Sequence, residues 1–236
     1  MQLNELFDQL QYGELSQMSM GGFDSAIGIA ECDYPKIVAH VNLGLIELYK
    51  RFTVKSNKVV IQQYSDIQTY ILDSKYSINA PAIPGAQQYI LDTVEDPFTD
   101  DILRITRVKD EANTELFLND EHEDESVFTP TYKSLLISVP NDTSKTTIHY
   151  RATPTKIDAQ GLNIFSTEIL LPDSLIEPLC LFIASRVFSN LNADGGIAEG
   201  NSYLQRFEIS CKRIIKENLL NVSNITNEKL DCRGWA

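Results

Sequence analysis

The hydrophobic positions of the chain follow a helical period near its N-terminus. Apolar residues recur three and four positions apart there, as on the buried side of an amphipathic helix. They are Leu3, Leu6, Phe7 and Leu10, and then Tyr34, Val38, Val41, Leu45, Leu48 and Phe52. Pro35 suits the first turn of the second run, where proline needs no backbone N–H. The sequence predicts two helices before residue 55, joined by a loop rich in glycine.

From about residue 56 to residue 171 the pattern changes to short runs rich in β-branched and aromatic residues, which is typical of strands. These runs are 59–61, 69–72, 102–108, 114–118, 135–139 and 146–150. Turn-forming residues at 109–113 and 140–144 predict two hairpins. We therefore expect an antiparallel β domain.

Helical periodicity returns after Pro172, where Asp173 or Ser174 can cap a helix. The apolar positions of this helix are Leu175, Leu179, Phe182, Ile183, Val187 and Leu191. Gly195 and Gly196 are expected to end it. A last helix from about Glu199 carries Tyr203, Leu204, Phe207, Cys211, Ile214, Ile215 and Leu219 on one face.

Amphipathic helices at both ends of the chain satisfy one another's apolar stripes if they pack together. The predicted fold class is α+β, a helical bundle built from the N- and C-terminal helices with an inserted antiparallel β domain. The expected parts are helical residues 1–55, a β domain over 56–171, a helical hairpin over 172–220 and an extended C-terminal tail over 221–236.

Charge argues against a protein that grips nucleic acid. The 236 residues carry a formal net charge of −13, so repulsion of phosphates is the expected interaction. Thirteen acidic residues lie between Asp92 and Glu125. This acidic segment is predicted to be a negatively charged surface.

The N-terminus lacks the basic and apolar regions of a secretory signal, and no apolar run is long enough for a membrane span. We therefore expect a protein that works inside a cell, with no membrane partner. The four cysteines, Cys32, Cys180, Cys211 and Cys232, form no Cys-x-x-Cys pair and are expected to be reduced thiols.

Candidate catalytic chemistry is weak. His149 is predicted to face solvent, and His40 on its helix lacks a metal-ligand pattern. The acidic loop 119–125 lacks the glycine and spacing of an EF-hand, and carboxylate pairs such as Asp100 and Asp101 are common on surfaces. We expect no enzyme, no cofactor and no metal.

The only tryptophan lies in the polar tail, at Trp235. Tryptophan is enriched at interfaces and buries a large area. One interpretation is that residues 221–236 dock in trans, with Trp235 as an apolar anchor and Arg233 as its charged partner. The other is that the tail packs on its own bundle.

Six short motifs occur in a distinctive order along the chain. They are Pro81-x-x-Pro84-Gly85, Asp96-Pro97-Phe98-x-Asp100-Asp101-Ile102-Leu103, Val127-Phe128-Thr129-Pro130-x-Tyr132, Ala184-Ser185-Arg186-x-Phe188, Glu199-Gly200-x-x-Tyr203 and Thr226-Asn227-Glu228-Lys229-Leu230-x-x-Arg233-Gly234-Trp235. In this order they resemble the motifs of the head-to-tail adaptor (connector) proteins of short-tailed bacteriophages.

The resemblance implies a structural virion protein in the neck, assembled in the host cytoplasm. It implies a ring of this chain, roughly twelve copies if it matches a portal, whose partners are the portal protein and a tail hub or nozzle protein. Genomic DNA would pass through without specific binding, and part of the acidic segment from Asp92 to Glu125 would face either this channel or a basic partner. The partner-docking residues are then Leu230, Arg233, Gly234 and Trp235.

Two other interpretations stay open. The chain could form a different virion ring, such as a tail terminator or a tail hub. It could also be a carbohydrate-binding β module, in which Tyr64, Tyr70, Tyr89 and Tyr132 would offer stacking surfaces.

Overall fold

The computed structural model describes residues 1–16, 29, 31–82, 84–123, 126–190 and 196–220. Across these residues the protein is α+β, with four α-helices and two antiparallel sheets. The chain divides into two compact units. The first contains the described residues up to Phe52 and from Lys156 onward, and the second contains Thr53–Thr155.

The first two helices follow the predicted spacing. Helix α1 covers Leu3–Tyr12, and its four predicted apolar positions are all buried. Helix α2 covers Tyr34–Arg51 with Pro35 in its first turn, and it buries Val38, Val41, Leu45 and Leu48. The apolar stripes thus face the interior of the helical unit, as amphipathic helices require.

The start and end signals of the last two helices differ from the prediction. Helix α3 covers Ile176–Ser189, and no side chain caps its N-terminus; Asp173 and Ser174 instead belong to a short 3-10 turn that precedes it. Helix α4 covers Gly196–Lys216, so Gly196 begins this helix and does not end the previous one. Leu204, Ile215 and Leu219 of the predicted apolar face are exposed.

Helix α3 packs against α1, α2 and α4, and two glycines allow the closest approaches. A Cβ added at Gly44 of α2 would lie 2.6 Å from Leu179 Cδ1, and one added at Gly200 of α4 would lie 2.2 Å from Ser189 Oγ. A side chain at either position would push the helices apart, because packed interiors leave no spare volume.

The boundary of the β domain lies earlier than predicted, at residue 155 and not at 171. The segment after Lys156 is hydrogen-bonded to α1 and α2. The backbone N–H of Leu3 donates to Thr167 O at 2.9 Å, Asn42 donates to Ile157 O at 2.9 Å, and Tyr49 Oη donates to Leu170 O at 2.8 Å. These bonds tie an irregular segment to the helices, which periodicity alone does not reveal.

Within the described part of the β unit, eight strands form its sheets. They are β1 Ser56–Gln62, β2 Thr69–Ile71, β3 Ile90–Leu91, β4 Ile102–Lys109, β5 Glu115–Leu116, β6 Val127–Phe128, β7 Ser134–Ile137 and β8 Lys145–Ala152. A five-stranded sheet has the order β3-β1-β8-β4-β5, and a three-stranded sheet has the order β2-β7-β6. Buried residues of the two sheets form one hydrophobic cluster.

One predicted hairpin is correct and the other is wrong. Residues 109–113 join β4 to its antiparallel neighbour β5. Residues 140–144 join β7 to β8, but these strands belong to different sheets. Both edges of β8 are already paired, one with β1 and the other with β4, so β7 has no edge of β8 left to join.

None of the helices in the described ranges has both the length and the apolar character needed to cross a membrane.

Candidate functional site

The candidate functional surface of the β unit is the outer face of the five-stranded sheet, the side that points away from the hydrophobic core. Its central strand, β8, alternates strictly. Thr146, Ile148, Tyr150 and Ala152 are buried, and Lys145, Thr147, His149 and Arg151 lie on the opposite side. This alternation is the two-residue period of a strand with one face against a core.

Strand pairing brings cations from three strands to this side. Lys58 of β1 lies opposite His149, and Arg107 of β4 lies opposite the same histidine. Arg104 lies opposite Arg151, and Lys109 lies opposite Thr147. Because residues directly opposite one another share a face, the three strands form one surface. We name it the basic face; it consists of Lys58, Arg104, Arg107, Lys109, Lys145, His149 and Arg151.

Two irregularities in β4 make this arrangement possible. Arg104 and Arg107 are three residues apart, so a regular strand would point them to opposite sides. The pairing of β4 with β8 shifts between Ile102 and Arg104 and again between Ile105 and Arg107. As a result Ile102, Ile105 and Val108 are all buried and both arginines share the outer side. Bulges re-aim side chains in this way.

The pKa values of two residues of the basic face are lowered, as expected where cations lie close together. Burial lowers the pKa of His149, and Lys109, Lys58 and Arg107 lower it further, while Glu115 opposes them. Burial also lowers the pKa of Arg151, helped by Arg104. Six of the nine Lys and Arg residues between 53 and 155 belong to this face, although the unit as a whole is acidic.

The acidic segment predicted between Asp92 and Glu125 divides into two groups. Asp92, Asp100 and Asp101 accept hydrogen bonds inside the unit. The other group is exposed and includes Glu95, Asp96, Glu111, Glu121 and Glu123. Asp124 and Glu125 lie outside the described residues. Asp100 is exposed as well, so the prediction of a negative surface applies to it and to the second group, but not to the partly buried Asp92 and Asp101.

Asp101 is the centre of a polar group that joins three residues of the unit. Its carboxylate accepts from Lys55 Nζ at 3.0 Å, from Asn57 Nδ2 at 3.0 Å and from Tyr150 Oη at 2.8 Å. Its neighbour Asp100 accepts from the backbone N–H and the hydroxyl of Ser74. The acidic pair thus holds loops to strands.

A cleft of about 740 Å³ lies between β1 and the loop after β3, lined by Lys55, Lys58, Asp92, Asp96, Phe98 and His149 among others. Strand β3 pairs with β1 only at Val60 and Ile61, which leaves room beside the first half of β1. Asp92 is held by Ser77, Asn79 and the Phe98 N–H, and these hydrogen bonds, against the opposing effect of burial, leave its pKa lowered.

Two of the thiols, Cys180 and Cys211, and the histidine His40 are at least partly buried among the helices. Burial raises the pKa of Cys180 to about 12 and that of Cys211 to about 11, so both stay protonated. Burial lowers the pKa of His40. No group of three or more His, Cys, Asp or Glu within the described ranges could hold a metal ion.

The remaining predicted sites are the docking tail, the tyrosine stacking surface and His149. The docking residues Leu230, Arg233, Gly234 and Trp235 lie outside the described part of the chain. A stacking surface of four tyrosines is wrong for two of them, because Tyr70 and Tyr89 are buried in the core. His149 does lie on the outer side of β8, as predicted, but it is partly buried.

The basic face was missed by sequence reasoning. Its members come from segments that are about forty to fifty residues apart along the chain, and they meet only through the pairing of β1, β8 and β4. The available signal was the alternation of Lys145, His149 and Arg151 with apolar residues in β8.

A scan against protein-family models finds no match to this chain. A search of curated proteins finds no match either.

Proposed function

We propose that the chain is a structural virion protein that forms the head-to-tail adaptor ring below the portal of a short-tailed bacteriophage. Its copies join the capsid portal to a tail hub or nozzle protein in the neck of the virion, and they catalyse no reaction. The six motifs, in order along the chain, support this family.

The observation that carries the proposal is the sorting of charge on the β unit. One exposed surface is basic, formed across β1, β8 and β4, and other exposed positions, such as Glu111, Glu121 and Glu123, are acidic. A ring needs two different surfaces on each subunit, because a cyclic contact is heterologous. Charge sorting of this kind serves docking, since complementary patches set partner choice and register.

The proposed subunit is a helical bundle made from both ends of the chain, with the β unit inserted. The packing of α3 against α1, α2 and α4 supports the bundle. A bidentate ion pair between Arg51 of α2 and Glu208 of α4, at 2.7 Å for both bonds, also links the two ends of the sequence.

The tail residues Leu230, Arg233, Gly234 and Trp235 dock on the portal or on a neighbouring subunit in this proposal. The net charge of −13 supports a channel that repels phosphates, so genomic DNA passes without specific binding.

Imaging tests the proposal. The purified full-length chain is mixed with the portal protein of the same phage, and the mixture is examined by electron microscopy. We expect a closed ring of this chain on one end of the portal, with roughly twelve copies. The double variant Arg233→Ala, Trp235→Ala should bind the portal much more weakly, because it lacks the proposed anchor.

A control variant, Val222→Ala, lies in the same tail but outside the motif and should bind normally. The proposal is wrong if the unmodified, folded chain neither binds the portal nor occurs in purified virus particles.

A further inference from the structure

The basic face gathers cations from three neighbouring strands. Arg104 lies directly opposite Arg151, and His149 lies between Lys58 and Arg107. Like charges directly opposite one another, such as those of Arg104 and Arg151, are unfavourable in a sheet. The two register shifts in β4 bring Arg104 and Arg107 to this side, where neither arginine contributes to the hydrophobic core. Local rules of this kind are broken most often at functional sites.

Several cations of this face also have no anionic partner. Lys58, Arg104 and Lys145 form no ion pair with any residue that the structure describes, and Arg107 has only Glu115, at 3.8 Å. The face therefore has the electrostatic character of a surface that awaits an anionic partner.

The same unit carries free acids. Glu111 lies in the turn between β4 and β5, and Glu121 and Glu123 lie before β6; all three are exposed. Within the described residues none of them takes part in an ion pair. Every copy of the chain thus offers both a cationic surface and unpaired carboxylates.

We propose that the basic face of one subunit docks on the acidic residues Glu121 and Glu123 of a second copy of this chain. Charge complementarity favours this occupant, because the chain has 33 acidic residues against 20 Lys and Arg. A nucleic acid partner is disfavoured by the net charge of −13. The contact joins two different patches, so it is head-to-tail and can close into a ring. The inference rests on the proposed function, since it names the contact that builds the ring.

Charge reversal provides the test. One full-length variant reverses the face (Arg104→Glu, Arg107→Glu), and another reverses the acids (Glu121→Lys, Glu123→Lys). Self-association is measured by sedimentation at low ionic strength, with and without the portal. Each variant alone should associate about tenfold or more weakly than the unmodified chain, because like charges now meet. An equal mixture of the two variants should regain association, and so should a chain with all four changes.

The control carries the same change of charge elsewhere, as Lys212→Glu with Lys216→Glu on α4, and should associate like the unmodified chain. Circular dichroism confirms that every variant folds.

Three results overturn the inference. In the first, both reversed variants associate normally. In the second, the variants fail alone and also fail when mixed. In the third, the face variant loses salt-sensitive binding to a short DNA duplex that the four-change chain does not regain, which identifies a nucleic acid partner. In all three cases the portal experiment can still succeed, so failure of this contact is distinct from failure of the adaptor proposal.

Discussion

The two faces of the five-stranded sheet are made by the same strands and have opposite chemistry. On the inner face Ile148 of β8 lies between Val59 of β1 and Val108 of β4, and all three are buried in the core. On the outer face His149, the next residue along, lies between Lys58 and Arg107. The inner face therefore supplies the packing that stabilises the unit, whereas the outer face carries charges that this packing does not need.

Truncating the inner face should have the largest effect. Ile148 is completely buried, and Ile148→Ala removes packed methylene groups and leaves a cavity. We expect the β unit to lose about 2–5 kcal/mol of unfolding free energy. Hydrogen exchange of the β8 amides, read by mass spectrometry, isolates this unit from the helical one.

The matched control is Thr147→Ala, one residue away on the outer side, which should cost less than about 1 kcal/mol. Equal protection losses in the two variants would contradict the division of roles between the faces.

The polar group around Asp101, at the corner of the sheet where β4 begins, should show an intermediate effect on stability when it is changed. Asp101 is only 11% exposed in its side chain, and it accepts from Lys55, Asn57 and Tyr150. In Asp101→Asn the amide cannot accept all three bonds, and Lys55 loses its counter-charge. We expect a loss of about 1–3 kcal/mol, measured as a lower urea midpoint for the β unit.

Asp96→Asn changes an exposed carboxylate of the same motif and should leave the midpoint nearly unchanged. If both variants behaved alike, Asp101 would not be the organising residue of this corner.

The buried residues of the helices and of the inner face of the sheet were largely predictable from the sequence, because strand and helix periods are local signals. The stripes of α1 and α2 and the runs at β1, β4 and β8 were all expected, and most of their apolar residues are buried. Features decided by distant pairing were not predictable. The turn at 140–144 has ordinary hairpin chemistry, yet β8 pairs with β1 and β4.

The candidate site shows the same limit. The acids between Asp92 and Glu125 are neighbours along the chain and were noticed at once, although Asp92, Asp100 and Asp101 have internal roles. The cations of the basic face are scattered along the chain, and two of them share a side only because β4 shifts register. A one-dimensional reading sees charge that is contiguous and misses charge that folding assembles.

The smallest expected effect is a pH dependence that distinguishes the outer face in its free and docked states. The groups around His149 are Lys58 on β1, Arg107 and Lys109 on β4, and Glu115 on β5, and the pKa of His149 is lowered by burial and by the three cations. A lowered histidine pKa favours the neutral form in the folded protein. Its stabilising contribution is therefore complete above the ordinary value of about 6.5 and is lost as pH falls below it.

We expect the unfolding free energy of the β unit to decline between about pH 7.5 and pH 5.5, and His149→Gln should flatten this decline. Thr147→Ala, which changes the same side of β8 but keeps His149, is the matched control and should leave the slope unchanged. Docking of carboxylates on the face reverses the sign, because nearby anions favour the imidazolium, so self-association should take up protons and strengthen over the same range. Self-association that weakened from pH 7.5 to pH 5.5, or that kept its pH dependence in His149→Gln, would show that no anionic surface covers this histidine.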